Sequence, residues 1–565
     1  MIRNVEGLGQ AFIPKSRCFL SSLMEASYVS ALLSPLVLGL LTATAAFTLY
    51  STSGRGSHAA KSVPAGATLV SDLPLASPIL GHIMEMVRNR SRLHDWLAEK
   101  SLERDGKLFV LRFPRRSDLV VTRPEDLEQI LKVQAANFAK GEPLHEILRD
   151  FMGDGILLVN GDRWKRHRRV LVSLFSARAL RDQMTTIIQK NTLVLQEILA
   201  KAANSRQPLD LYKLMNKFTL ETFTEIGFGR KLDNLASDKD HPFEIAFDEA
   251  NRLAVARMTG SRWRWKLKRW LNVGSERRLR DAMIVIDAFV MDTISSAIER
   301  RQPRSELAAQ HDLAHPIDRD IVSIILDTME AGGHAVTPSE VRDIAMAGLI
   351  AGRDTTADAL SWLLHVLHQN PRVEEKLRAE IREELPKFGD SMSYLPSMEE
   401  VQELPYLEAT IRELLRLFPS VPVIPYHCVC DTVFPDGTFI PKGIDIMLSP
   451  YASGRLTSVW GPDAAEFVPE RFLEGKTGEL LQMPPTTLAA FSAGPRACVG
   501  QRLAMLELKI VAACLVSRFH LVEAPGQNVT YSWGLSLRMK SPLMVRVEPL
   551  PTTDAQTRNP SALSA

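Results

Sequence analysis

The sequence predicts a mainly α-helical chain with a small β-rich region, preceded by an N-terminal transmembrane helix. Three observations carry this. Residues 69–549 read mostly as long amphipathic helices. Strand-like alternation is confined to about residues 107–122, 424–448 and 519–547. The run 26–50 holds no charged residue and is dominated by Leu, Val, Ala and Phe.

Residues 1–25 form an N-terminal segment with a weak basic bias, Arg3, Lys15 and Arg17 against Glu6 and Glu25. As a helix, residues 26–50 would span roughly 37 Å, enough to cross a bilayer with some tilt, and Pro35 is a kink that membrane helices tolerate. Basic residues flank both ends, so charge alone does not orient the span. Residues 51–68, rich in Ser, Gly and Ala, read as a linker, and 550–565 as a flexible tail. Between them, 69–549 shows no second linker and no internal repeat, which predicts one domain. The net charge of +2 excludes a polycationic nucleic-acid binder. Five cysteines, odd in number and sparse, exclude a disulfide framework; Cys428-x-Cys430 is too close for a zinc hook and reads as a strand pair of structural thiols.

The chemistry concentrates in Phe491-Ser-Ala-Gly494-Pro-Arg496-Ala-Cys498-Val-Gly500. One cysteine sits in a glycine-framed loop that leads into a helix. The glycines let backbone N–H groups approach the sulfur, and the positive end of the helix favours a thiolate. That setting suits a thiolate on haem iron: Arg496 can pair with a haem carboxylate and Phe491 can shield the sulfur. A chance occurrence of these five fixed residues in a chain this long is on the order of 10⁻⁴. Upstream, Thr337-Pro-Ser-Glu340 has the form of a helix start, with a capping Thr, Pro at the first position and Glu three after the cap. The helix that follows runs to about Asn370 and carries Ala351-Gly-Arg-Asp354-Thr355-Thr356 in its middle. Glycine, acid and hydroxyls weaken a helix locally, which predicts a widened turn where oxygen and water sit. There Thr355 would hold a proton-bearing water and Asp354 would relay protons from solvent.

The cysteine run matches the haem-ligand signature Phe-x-x-Gly-x-Arg-x-Cys-x-Gly of the cytochrome P-450 superfamily, and 351–356 matches that family's oxygen-handling motif at every fixed position. The chain therefore resembles a haem-thiolate monooxygenase with the P-450 fold over roughly residues 70–549. The resemblance implies that Cys498 is the axial iron ligand and that Trp164 and Arg168, from Trp164-Lys-Arg-His-Arg168, join Arg496 at the haem carboxylates. It also implies that Glu413 and Arg416, three apart on one helix face, pair with Arg471 of Pro469-Glu-Arg-Phe472 to hold the scaffold rather than to catalyse.

Within the superfamily, Ala351–Ala357, Phe434–Pro441, Tyr451–Arg455 and Trp265–Asn272 are similar to the fatty-acid and alkane ω-hydroxylase branch. Two departures stand out. Ala351 replaces a glutamate that can bond covalently to haem in some relatives, and Tyr426 stands near where relatives often direct Arg or Lys at the haem. The resemblance implies haem b, O2 and NADPH-derived electrons, and a single-pass anchor in the endoplasmic reticulum with a cytosolic catalytic domain. Electrons would come from an NADPH-dependent flavoprotein reductase, because the chain has no Gly-rich dinucleotide fingerprint. That partner would dock on the cysteine side, with Arg502 and Lys509 as candidate contacts. The aromatic-basic run Arg262–Trp270 is a candidate contact with the bilayer surface. Alternatives are a hydroxylase of another lipophile (sterol, terpenoid or xenobiotic), a haem-thiolate isomerase or dehydratase acting on lipid peroxides, and a non-catalytic haem sensor.

Overall fold

The structure, a computed structural model, describes residues 63–74, 76–114, 116–301, 321–331, 337–391 and 393–550. The expected N-terminal segment, the membrane helix 26–50, most of the 51–68 linker and nearly all of the 550–565 tail lie outside the described residues. Among the described residues no helix is long and apolar enough to cross a membrane.

Thirteen helices of ten or more residues form the bulk of the described chain: α1 (Leu93–Leu102), α2 (Glu142–Met152), α3 (Gly161–Leu174), α4 (Thr185–Ser205), α5 (Leu211–Phe228), α6 (Pro242–Thr259), α7 (Arg262–Leu271), α8 (Gly274–Arg301), α9 (Ile321–Ala331), α10 (Pro338–Gln369), α11 (Pro371–Glu384), α12 (Pro405–Leu417) and α13 (Gln501–Arg518). α10 begins where its capping sequence predicts. The Thr337 hydroxyl accepts the Glu340 N–H at 3.2 Å, and Pro338 occupies a first-turn position whose N–H would have no helical partner. α10 and α5 are buried on nearly every side and pack against each other at the centre, so they behave as core rather than as amphipathic surface helices.

Strands follow the sequence pattern where they are long enough to show a period. β2 (Phe109–Arg112) and β3 (Ser117–Val121) form one antiparallel pair; β6 (Ile424–Cys428), β7 (Thr432–Val433), β8 (Thr438–Ile440) and β9 (Asp445–Leu448) fill the second predicted region; β10 (Phe519–Glu523) and β11 (Met544–Pro549) fill the third. Three two-residue strands were not foreseen: β1 (Thr68–Leu69), β4 (Phe138–Ala139) and β5 (Leu209–Asp210). Each exists only because a distant strand presents an open edge, giving sheets ordered β2-β3-β9-β6-β4, β1-β8-β7 and β10-β11-β5. The β4–β6 pairing sets Phe138 opposite Cys428 and Ala139 opposite His427, so the chain leaves β4 beside Tyr426. A single apolar core reaches from α1 through the helices to β11, with a smaller cluster lining the five-stranded sheet. Cys428 and Cys430 are free thiols; Cys428 is buried, donates to the Cys430 carbonyl at 3.0 Å, and burial pushes its thiol up to about 11.

Candidate functional site

The cysteine loop is built from two short 3₁₀ turns, Ala489–Phe491 and Gly494–Arg496, that run into α13. It closes on itself through the Cys498 N–H, which donates to the Phe491 carbonyl at 2.9 Å. Gly494 has φ +66°, and a Cβ there would lie 1.9 Å from the Leu131 carbonyl oxygen. Its glycine is thus demanded by docking of the loop on the helical turn Gln129–Val133, not by the sulfur. The glycine that serves the sulfur is Gly500, whose N–H, with that of Gln501, is directed at Sγ. Cys498 itself is open on one side. The protein packed around its sulfur pushes the thiol up, against the two amides and Arg168. A thiolate here needs a cation at sulfur, which a coordinated metal supplies.

Three cations gather beside this loop. Arg168 on α3 donates to the Ala497 carbonyl at 2.8 Å. Arg496 donates to the Val159 carbonyl at 3.0 Å and the Asn160 side chain at 2.8 Å, with its guanidinium 4.6 Å from the Trp164 ring centre. The third, Lys140, was not singled out from the sequence. It follows β4, donates to the Pro425 carbonyl at 2.8 Å and stands 3.9 Å from the centre of the Tyr426 ring. Asn160 ties the group together, since its carboxamide exchanges hydrogen bonds with both backbone groups of Lys140 while accepting from Arg496. Among the described residues none of the three meets a carboxylate. Burial pushes Arg168 and Arg496 down, and burial with the neighbouring Arg496 pushes Lys140 down to about 7. Half-buried cations without counter-charge, next to a sulfur, form a cradle for a dianion. Haem, with two carboxylates and a thiolate-seeking iron, fits that donor set. Tyr426 is thus not without a neighbouring cation: Lys140, which follows β4, lies over its ring.

The oxygen-handling motif differs from expectation in one respect. α10 runs through Ala351–Thr356 as uninterrupted α-helix, without a widened turn. Gly352 is there for packing, because a Cβ would sit 2.2 Å from the Phe223 ring of α5. The Thr355 hydroxyl donates back to the Ala351 carbonyl at 2.6 Å, which keeps the turn closed while leaving its oxygen free to accept from water. Asp354 is buried; it accepts from Asn251 of α6 at 2.6 Å and from Arg353 at 3.3 Å. The structure does not pair the Asp354 and Thr355 side chains with each other.

Glu413 and Arg416 are fully buried and bidentate, both bonds 2.7 Å. Arg416 also donates to the carbonyls of Gly454, Ala464 and Glu466, and Glu413 accepts the Val468 N–H at 2.7 Å. Arg471 approaches Glu413 at 3.4 Å and donates to the Trp460 and Asp463 carbonyls. Beyond their bonds to each other, the pair's hydrogen bonds go to the segment 454–471.

Two surface expectations change. Lys509 is buried and ion-paired with Glu408 at 2.7 Å, so it is not a docking contact; α13 turns that position into the core. Arg502, on the first turn of α13, is exposed. On α7, Trp263 and Trp270 are exposed while Trp265 is buried under Arg257. Arg262 and Lys266 pair with Glu146 and Arg269 with Asp150, so about half of the helix's basic charge holds it to α2.

A cysteine loop presented to a cluster of uncompensated cations, in a fold with a long central helix, fits a haem-thiolate enzyme. Consistent with that class, the family model described as Cytochrome P450 matches residues 72–545. The chain is similar to Cytochrome P450 704C1 of Pinus taeda (34% identity, 84% of this chain and 93% of the relative), to Cytochrome P450 86B1 of Arabidopsis thaliana (31%, 83% and 84%) and to Cytochrome P450 94A2 of Vicia sativa (30%, 85% and 92%). The chain belongs to the cytochrome P450 family. It is a monooxygenase of the kind that uses thiolate-ligated haem, O2 and NADPH-derived electrons.

Proposed function

We infer that the chain hydroxylates a lipophilic C–H substrate, most specifically a fatty acid at or near its ω end, with Cys498 as the axial ligand of haem iron. The observation that carries the site assignment is the convergence of Lys140, Arg168 and Arg496 on the cysteine loop with no facing carboxylate among the described residues. Bound haem supplies O2 activation. Arg496, Arg168, Trp164 and Lys140 would hold its two carboxylates, and Phe491, whose carbonyl accepts the Cys498 N–H, closes the loop. Thr355, its proton committed to Ala351, accepts from a water, and Asp354, one residue before it, relays protons from solvent. Glu413, Arg416 and Arg471 keep the cysteine-side scaffold in shape. The fatty-acid assignment rests on the stretches Ala351–Ala357, Phe434–Pro441, Tyr451–Arg455 and Trp265–Asn272.

The same proposal places the enzyme at a membrane. The uncharged run 26–50 supports an anchor, and α7 offers Trp263, Leu267 and Trp270 outward beside basic residues, a composition suited to the lipid headgroup boundary. Endoplasmic reticulum with a cytosolic catalytic domain and an NADPH-dependent flavoprotein reductase as electron donor complete it, with Arg502 as the remaining candidate contact. The test is turnover of the purified protein with such a reductase, NADPH and a panel of fatty acids, alkanes, sterols and terpenoids. Terminal or near-terminal hydroxy fatty acid is the expected product. Rearrangement of a lipid hydroperoxide without NADPH would contradict the assignment.

A further inference from the structure

Four residues beyond Asp354, and so on the same face of α10, lies a second acid that the oxygen-handling motif does not include. Asp358 is 1% exposed. One of its oxygens accepts the Tyr212 hydroxyl of α5 at 3.1 Å; the other, Oδ2, has no partner of full hydrogen-bond geometry among the described residues, although the Ser536 side chain is close enough to pull on the carboxyl. The groups facing it are few: Tyr212 from α5, Ser536 and Arg538 from the segment before β11, and Asp354 from its own helix. Arg538 in turn donates to the Tyr212 oxygen at 3.4 Å and approaches Asp248 of α6 at 3.7 Å. Arg353 binds Asp248 at 2.5 Å and Asp354 at 3.3 Å and reaches Glu244 at 3.8 Å. Three buried acids (Glu244, Asp354 and Asp358) and the part-exposed Asp248 thus share two guanidiniums. Ionising all of them would leave more negative than positive charge, so part of the cluster holds protons.

The cluster is not sealed. A solvent-open cavity of about 1120 Å³ lies between α6, α8 and the segment 532–539, and Asp248, Asn251, Ser536 and Arg538 all line it. Asn251 is the residue that holds Asp354, while Ser536 and Arg538 face Asp358. One cavity therefore touches the partners of both acids.

We propose that Asp358 is a positioning residue for proton supply: a buried acid that re-protonates Asp354 through a water at its unpartnered oxygen and is itself refilled from the cavity. The step is a proton exchange. Asp358 gives up its carboxyl proton, Asp354 gains one, and a proton taken up from bulk solvent and passed along cavity water restores Asp358. Burial, with the Asp354 charge, pushes Asp358 up to about 7, against the pull of Ser536, Arg538 and Tyr212, so the proton is present at neutral pH and can leave. The proposal rests on the reading of Asp354 as the proton-relaying residue of the reaction.

The experiment compares the haem-loaded wild-type enzyme with Asp358→Asn, Asp354→Asn and Tyr212→Phe. Infrared spectra against pH should show a buried protonated carboxyl that titrates near pH 7 and is missing in D358N. In Y212F its midpoint should move to higher pH, because a donor to the ionised form is lost. D358N should keep the wild-type reduced, carbon-monoxide-bound spectrum. It should also show a larger solvent isotope effect and roughly tenfold less product per NADPH, short of the 10²–10⁴-fold expected for a group that transfers a proton directly. If D358N fails to fold, the Y212F midpoint decides: an unmoved carboxyl band overturns the proposal. A D358N enzyme with wild-type coupling and isotope effect beside an uncoupled D354N overturns it while leaving the proposed function standing. If D354N is also unaffected, the reading of Asp354 is what fails.

Discussion

The ammonium of Lys140 stands 3.9 Å from the centre of the Tyr426 ring, on the far side of a β4–β6 pairing that brings residues nearly three hundred positions apart into contact. A cation–π contact, a backbone carbonyl and a neighbouring guanidinium do not neutralise that charge. Lys140→Met should therefore weaken haem retention. A charge-assisted hydrogen bond of about 1.5–3 kcal/mol corresponds to on the order of tenfold to a hundredfold faster haem loss. Transfer of haem to an excess of apomyoglobin measures it; Tyr426→Phe, which keeps the ring under the ammonium, should change the rate far less.

Gly352 is a packing residue. Gly352→Ala should destabilise the fold by about 1–3 kcal/mol through collision with Phe223, and Phe223→Leu in the same chain should recover much of the loss. Thermal unfolding of the two single variants and the double variant gives the coupling. Additive effects would mean that the glycine serves a loosened turn after all.

The Glu413–Arg416 pair is sealed from water, and removal of one partner strands the other. Arg416→Ala should cost about 3–5 kcal/mol and reduce the yield of haem-loaded protein. Arg471→Ala, whose contact with Glu413 is longer and whose side chain is partly exposed, should cost less. Denaturation midpoints rank them.

Two positions on α13, Arg502 at its exposed first turn and Lys509 about two turns further into the core, separate docking from folding. Arg502→Glu should raise the reductase concentration needed for half-maximal turnover and leave the unfolding temperature unchanged. Lys509→Met should lower the unfolding temperature, because Glu408 loses a buried partner, without a specific change in reductase dependence. Turnover titrated with reductase, alongside calorimetry, distinguishes them.

What the sequence makes legible follows from the range of the forces involved. The start of α10 is local: Thr337, Pro338 and Glu340 specify it within four residues. The strands from β6 to β9 carry their own alternation and turns. β4 has two residues and no period, so neither it nor Lys140 behind it stands out until Cys428 and Tyr426 are in place opposite. Lys509 reads as a surface lysine because its partner, Glu408, lies on another helix. The oxygen-handling motif ends at Thr356, so Asp358 lies outside it; an acid four residues after Asp354, in the otherwise uncharged run Thr355–Leu364, was the available signal. The widened turn was inferred from composition alone, and the Thr355 back-bond and the Phe223 contact account for the same residues without it.

The account depends on sulfur at position 498 bound to haem iron. The reduced, carbon-monoxide-treated protein should show the red-shifted Soret band of thiolate-ligated haem, and Cys498→Ala and Cys498→His should both lose it while Cys428→Ser and Cys514→Ser keep it. Persistence of the band in either Cys498 variant would contradict the assignment.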